Sequence, residues 1–306
     1  MKLDRRDVVK LGALAAGTGL VPRVWALELA NLDVASAGSV KQLLDGPLKT
    51  SAAEALKLNL RSHSQGADAV AKALVDGSLQ ADVFIPVTEG PMRAVMAAGK
   101  AAVAEPIAST EMVITYSPRS RFAEQFDAAA KGHGKWWEVL QEPGLHFVRS
   151  DPGSDPGGRS IIFTMMLAAK KYRQADLVER VLGPTLNPEQ ILTGGSNQAR
   201  MASGELDASG SYRSSAVASG LPYIVLPSDI NLSSLNVRRD NPEMKLSVGD
   251  KTFYPEAAIF YAAVLKGAAN ADGAEAFVRW LKSEQAQGVF RSHDFAAAGE
   301  AENLQV

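Results

Sequence analysis

The sequence predicts an α/β fold of mostly parallel sheets flanked by helices, on three observations. Near the start of the chain a strand, a turn and a helix follow one another, are repeated, and lead into a third strand. The chain has 306 residues, 46% hydrophobic and 22% charged, enough for two domains or one large one with sizeable cores. Its serine and glycine clusters fall where a period-two apolar pattern gives way to a helical one.

The first 26 residues, "MKLDRRDVVKLGALAAGTGLVPRVWA", are of another kind. A charged start, a short apolar stretch and the ending Val24-Trp25-Ala26 predict an export signal cleaved near Ala26. Arg5-Arg6 with Asp7 to Lys10 resembles the twin-arginine type. The apolar stretch is too short to span a membrane, and Gly12, Gly17, Gly19 and Pro22 argue against an amphipathic helix. Taking its five Lys/Arg and two Asp/Glu from the 32 and 34 of the whole chain leaves 27 and 32, a net charge of −5. A basic face for nucleic acid or anionic lipid is not supported, so no nucleic-acid partner is expected. An anion would be held by local dipoles and hydroxyls. The absence of cysteine removes disulfides, thiol nucleophiles and thiolate metal sites, and leaves stability to the core alone.

In chain order, "LELANLDVASAGSVKQLL" reads as strand, turn at Ala37 to Ser39, then helix. "LKLNLRSHSQ" alternates as a strand and "GADAVAKALVDGS" carries Ala67, Val70 and Leu74 on one helical face. "ADVFIPV" and "EMVITYSP" are buried strands, the second stopped by Ser117-Pro118. "GLHFVRS" leads into "DPGSDPGGRS", where two Asp-Pro steps and two glycines precede the helix "SIIFTMMLAAKKYR". "ASGELDASGSYRSSAVASG" gives a helix end, a strand and another helix; "PYIVLP" is a strand and "YPEAAIFYAAVL" an extended apolar segment. The closing "NADGAEAFVRWLKSEQAQGVFRSH" places Ala274, Phe277, Trp280 and Leu281 on the apolar face of one helix. Trp136-Trp137 read as packing or an interdomain contact and not as a stacking platform.

Three Ser/Gly turns each lead from a strand into a helix: Ser36 to Ser39, Ser62 to Gly66, and Asp155 to Ser160. A fourth cluster, "TGGSN" from Thr193 to Asn197, also precedes a helix. Ligands of open α/β sheets bind outside the carboxyl ends of strands, and helix N-termini present unpaired N–H groups that suit an anion. Ser, Asp and Gly are also what caps and turns require. Asp155, with Pro156 after it, is equally well placed as an N-cap worth about 1 kcal/mol and as a ligand contact. An ionised carboxylate repels a bare oxyanion, so contact demands a proton on the anion or coordination of a central metal atom. Catalytic signatures are missing. His63, His133, His146 and His293 lie in no metal-ligand spacing, and there is no G-x-S-x-G elbow or phosphate-binding G-x-x-x-x-G-K-[ST] loop.

Taken in order, "AGS", "ADV" (Ala81 to Val83), "MVITYSPRSRFAE", "DPGSDPGGRS", "SGELDASGSYRSSA", "GLPYIVLPSDINL" and "FVRWLKSEQAQGVF" resemble the molybdate/tungstate-binding branch of ABC-importer solute-binding proteins. The resemblance covers nearly all of the chain after the signal. It implies a two-lobed type-II periplasmic-binding fold, each lobe a mixed, mostly parallel sheet flanked by helices, with two crossing strands as hinge near Val113 and Tyr254. The implied division is 1–26 signal, 27–112 plus 253–306 lobe I, and 113–252 lobe II. It further implies a non-catalytic, monomeric periplasmic receptor that takes an oxyanion and hands it to an ABC permease. No cofactor is implied, and no metal beyond the molybdenum or tungsten of the ligand. Ser39 and Ser64 would donate from the first lobe, with Asp155, Gly158, Ser196, Asn197 and Tyr212 facing them. Sulfate, phosphate or a small organic acid are the alternative ligands, and a sensor without transport is an alternative role. A porphyrin-pathway deaminase on the same fold would need a cysteine for its cofactor. The sequence departs from the branch in three places: Ala67 stands where a Ser is expected, "GGSN" where a second carboxylate is expected, and "FIPVTEGP" is unlike its counterpart.

Overall fold

The computed structural model describes residues 29–192 and 197–306. The expected signal, residues 1–26, and the expected contact Ser196 lie outside the described residues.

The first half of the chain runs β1 (Ala30–Ala37), a 3-10 turn at Gly38–Val40, α1 (Lys41–Asp45), α2 (Pro47–Leu56), β2 (Leu58–Gln65), α3 (Ala67–Asp76), β3 (Val83–Ile85), α4 (Glu89–Ala97) and β4 (Val103–Ser109). It crosses into β5 (Met112–Tyr116), α5 (Ala123–Ala130), α6 (Trp136–Val139), β6 (Phe147–Val148), α7 (Pro156–Tyr172), α8 (Leu177–Leu182), α9 (Asn197–Ser203), β7 (Ala208–Tyr212), α10 (Arg213–Ser219) and β8 (Tyr223–Val225). After α11 (Val237–Asp240) and the hairpin of β9 (Leu246–Val248) and β10 (Lys251–Phe253), it returns through β11 (Ile259–Val264), α12 (Ala271–Leu281), α13 (Glu284–Ser292) and β12 (Leu304–Gln305).

Two sheets result. The first has the order β12-β4-β11-β3-β1-β2 and the second β6-β7-β5-β8. Alternation decides the faces of the first sheet. Leu32, Val34, Val83, Ile85, Phe260 and Ala262 join one apolar cluster, while Ala35, Phe84, Ile259, Tyr261 and Ala263 join the other. A sheet covered on both faces needs near-continuous apolar strands, which is why "ADVFIPV" and "YPEAAIFYAAVL" read as they do. The sheets are mixed, as expected, but less parallel than expected. Among the described residues β1 with β2, β1 with β3, and β6 with β7 run parallel, and the other pairs of these sheets are antiparallel. The returning strand β11 and the tail strand β12 cause this in the first sheet. In the second, β5 enters from the crossing between its antiparallel partners β7 and β8.

The crossings at Thr110-Glu111 and Tyr254–Ala258 are tied together. Thr110 N donates to Ala258 O (2.9 Å), after which the segments part: Met112 N donates to Asn231 O (2.7 Å) and Ala258 N to Leu232 O (3.0 Å). Val113 lies inside β5 and Tyr254 opens the return segment. The closing helix is split into α12 and α13, because Ser283 caps a new helix by accepting from Ala286 N (3.3 Å). Trp137 stacks on Tyr172 with ring centroids 3.6 Å apart, which is the packing role expected of the Trp pair.

Candidate ligand-binding cleft

The stretch "DPGSDPGGRS" resolves into two successive devices. Asp151 folds the first: its carboxylate accepts from Gly153 N (2.8 Å) and the Ser154 hydroxyl (3.1 Å), and its carbonyl accepts from Asp155 N (2.9 Å). Asp155 starts the second as the N-cap of α7, its Oδ1 accepting from Gly157 N (3.0 Å), with Pro156 at the first helical position. Gly158 is required by packing. A Cβ there would stand 2.3 Å from Ser150 O and 2.7 Å from Pro152 N, so only glycine lets the helix press on its own entry loop. Its N–H donates to Asp155 O (3.1 Å).

This loop meets the second serine turn of the other sheet. A Cβ on Gly66 would lie 2.7 Å from Ser154 O and 3.1 Å from Asp155 Cβ, and Ala69 N donates to Ser154 O (3.3 Å). The first turn adjoins the second: a Cβ on Gly38 would sit 3.8 Å from Gln65 O, and Ser36 Oγ and Ser64 Oγ share a hydrogen bond of 2.7 Å. On the far side, a Cβ at Gly157 would stand 3.5 Å from both Asp155 Oδ1 and Tyr212 Cε2. The Tyr212 hydroxyl bonds the Ser160 hydroxyl (2.9 Å). Three of the four sequence-predicted turns and Tyr212 therefore meet at one place. Asn197 opens α9; its neighbour Gln198, rather than Asn197 itself, lines a cavity shared with Ser39.

Electrostatically the cleft is far from a simple positive socket. Burial pushes the Asp155 carboxyl above the ordinary carboxylate range, and neighbouring Asp68 adds to the rise. The Gly157 N–H, Ser150 and Arg159 oppose it. Burial also raises the Tyr212 phenol and the carboxyl of Glu256, which lies on the return crossing and receives a long hydrogen bond from Gly90 N (3.4 Å). Beside Asp155 lies a deeply buried cation, Arg159. It is held by Asp68 Oδ2 (2.7 Å), Pro152 O (2.9 Å) and the face of Phe253 (4.1 Å to the centroid). Arg159, Asp68, Ser160, Ser36 and Glu256 were not singled out as site residues by the sequence. Ser160 offered a faint signal, as a polar residue on the inward face of an otherwise apolar helix.

Residues 32–296 match the family described as bacterial extracellular solute-binding protein. The chain belongs to that family. As a member it is a binding receptor rather than an enzyme. The molybdate/tungstate-binding protein WtpA of Pyrococcus abyssi is 28% identical over 207 residues, 61% of this chain and 59% of that protein. The chain thus spans about three fifths of the length of the curated relatives it matches. Among solved structures, the periplasmic molybdate-binding protein of Azotobacter vinelandii superposes with a TM-score of 0.61 at 16% identity, over 87% of this chain and 98% of that one. The sulfate-binding protein SubI of Mycobacterium tuberculosis H37Rv gives 0.58 at 16% identity, over 89% and 88%. These likenesses establish the two-lobed fold. Among the described residues no helix is long and apolar enough to cross a membrane, and no cluster of His, Asp and Glu is arranged to hold a metal ion.

Proposed function

We propose that this solute-binding protein is the exported, periplasmic receptor of an ABC importer and captures a tetrahedral oxyanion between its lobes. Molybdate and tungstate are the ligands, in keeping with the name of its sequence relative. In this reading residues 27–112 plus 253–306 form one lobe and 113–252 the other. Closure is a hinge at the paired crossings, with ligand selecting the closed state.

The observation that carries the reading is the convergence of the serine turns of one lobe on the Asp155 turn of the other, with Gly66 packed against Ser154 and Asp155. Neutral hydroxyls and backbone N–H groups there can replace the water around an anion without adding net charge. Ser39, Ser64 and Tyr212 supply the hydroxyls and Asp155 a carboxyl that burial favours in its protonated, donating form.

Thermal unfolding of the protein from Leu27 onward, with molybdate, tungstate, sulfate, phosphate and small carboxylates, tests this. A ligand at about 1,000 times its dissociation constant adds roughly 4 kcal/mol, a plainly raised midpoint. Molybdate and tungstate should give the largest rise at the lowest concentration. A rise with carboxylates and none with any oxyanion would overturn the ligand class.

A further inference from the structure

A cavity of about 420 Å³ is lined by residues 255–257 of the return crossing, the start of α4, β11, α11 and the tail at 300–304. None of Ser39, Ser64, Asp155 and Tyr212 lines it. Its size is that of a small-molecule site. The wall at α4 comes from "FIPVTEGP", a segment the oxyanion reading leaves without a role. There Thr88 holds a positive φ of 63°, strained for a β-branched residue, and its N–H donates to Ile259 O of β11 (2.9 Å).

Two independent observations point to a cationic occupant. The first is Tyr261, which lines the cavity with only 7% of its surface exposed and whose hydroxyl makes no hydrogen bond among the described residues. Burial pushes its phenol up to about 12; Glu89 and Glu256 add to the rise and Arg93 opposes it. The second is the charge of the wall. Glu89, Glu256, Glu300 and Glu302 line it against two arginines. Arg93 is taken by Glu89 (2.7 Å), and Arg238 lies over the Tyr254 ring, 4.3 Å from its centroid. The other three carboxyls form no ion pair among the described residues; Glu256 receives only the long bond from Gly90 N (3.4 Å) and the Thr88 side chain. Asn236 and Asn303 add neutral amides, and buried Val237, Ile259 and Leu304 an apolar strip.

We propose that this cavity is a second binding site, for a short aliphatic primary amine in its ammonium form. The ammonium donates to the Tyr261 hydroxyl oxygen and to the Glu256 carboxylate, giving each the partner it lacks. Exposed Glu300 and Glu302 add attraction, and the alkyl chain lies against Val237, Ile259 and Leu304. Because the return crossing and α11 both wall the cavity, the amine sits against the hinge segment.

Calorimetric titration of the protein with butylamine, butanol and butyrate tests this, repeated on Tyr261→Phe and Glu256→Gln. In the wild type butylamine should bind at least tenfold more tightly than butanol or butyrate, which share its chain and not its charge. Each variant should weaken butylamine at least fivefold, and Tyr261→Phe should melt within a few degrees of the wild type without ligand. Butanol or butyrate binding as tightly as butylamine overturns the proposal whatever the variants do. So does butylamine affinity that survives Tyr261→Phe. Should Tyr261→Phe melt far below the wild type, Glu256→Gln decides in its place by the same criterion.

Discussion

Asp68 of α3 and Arg159 of α7 stand 2.7 Å apart across the cleft, joining the two lobes by an ion pair whose arginine is almost wholly buried. This pair keeps a deeply buried cation beside Asp155 engaged with protein, so that on the proposed reading capture of an anion would fall to hydroxyls and amides. It also holds α3 against α7 without any ligand.

Removing Asp68 should therefore loosen the closed form. In Asp68→Asn the buried guanidinium keeps Pro152 O and Phe253 but loses its counter-charge, a cost of about 1–3 kcal/mol. Small-angle scattering of the ligand-free variant should show a larger radius of gyration than the wild type, and saturating molybdate should restore the wild-type value. An unchanged radius would show that the pair has no part in closure.

Two glycines of the cleft separate folding from closing. At Gly66 a methyl group meets Ser154 O of the opposite lobe, while the backbone (φ −56°) is one alanine adopts freely. Gly66→Ala should keep its melting temperature within a few degrees and lose at least tenfold in ligand affinity. At Gly158 the methyl meets Ser150 O and Pro152 N within the same lobe. Gly158→Ala should cost about 1–3 kcal/mol of stability, read in thermal melts without ligand.

Asp155 gives a pH dependence of defined sign. Its folded-state pKa is raised above the unfolded value, so its favourable contribution is complete below the unfolded pKa and is lost as pH rises through the folded one. Asp155→Asn retains an oxygen to accept from Gly157 N and cannot ionise. Without ligand it should melt a few degrees above wild type at pH 7.5, with the difference closing toward pH 4. A constant difference across that range would return the carboxyl to an ordinary environment.

Much of this was legible in the sequence, because strand and helix periodicity and cap chemistry are local. Asp155 reads as a candidate cap from Asp-Pro alone, with a ligand contact as the equal alternative, and the strands of "ADVFIPV" and "EMVITYSP" read from their apolar runs. The antiparallel share of the sheets was not, since the direction of β11 and β12 depends on where a returning chain docks. Helix α4 was hidden behind Thr88, whose positive φ (63°) gives no sequence signal in a Thr. Within the site, serine turns announce themselves by composition. Asp68 and Arg159 look like ordinary surface charges until the fold brings α3 and α7 together.

Tyr212 offers the sharpest separation of a structural from a binding role. Its hydroxyl is buried and bonded to Ser160 Oγ, so Tyr212→Phe leaves the serine without its partner at a cost of about 1–3 kcal/mol. Ser160→Ala leaves the tyrosine hydroxyl in the same position, and the double variant should recover part of the sum, as coupled partners do. Affinity then tells the two roles apart. If the tyrosine hydroxyl turns to the bound anion on closure, Tyr212→Phe should weaken molybdate binding about tenfold, whereas Ser160→Ala, which frees that hydroxyl, should leave it equal or stronger. Equal losses in both single variants would mean that the pair serves only to pack α7 against β7.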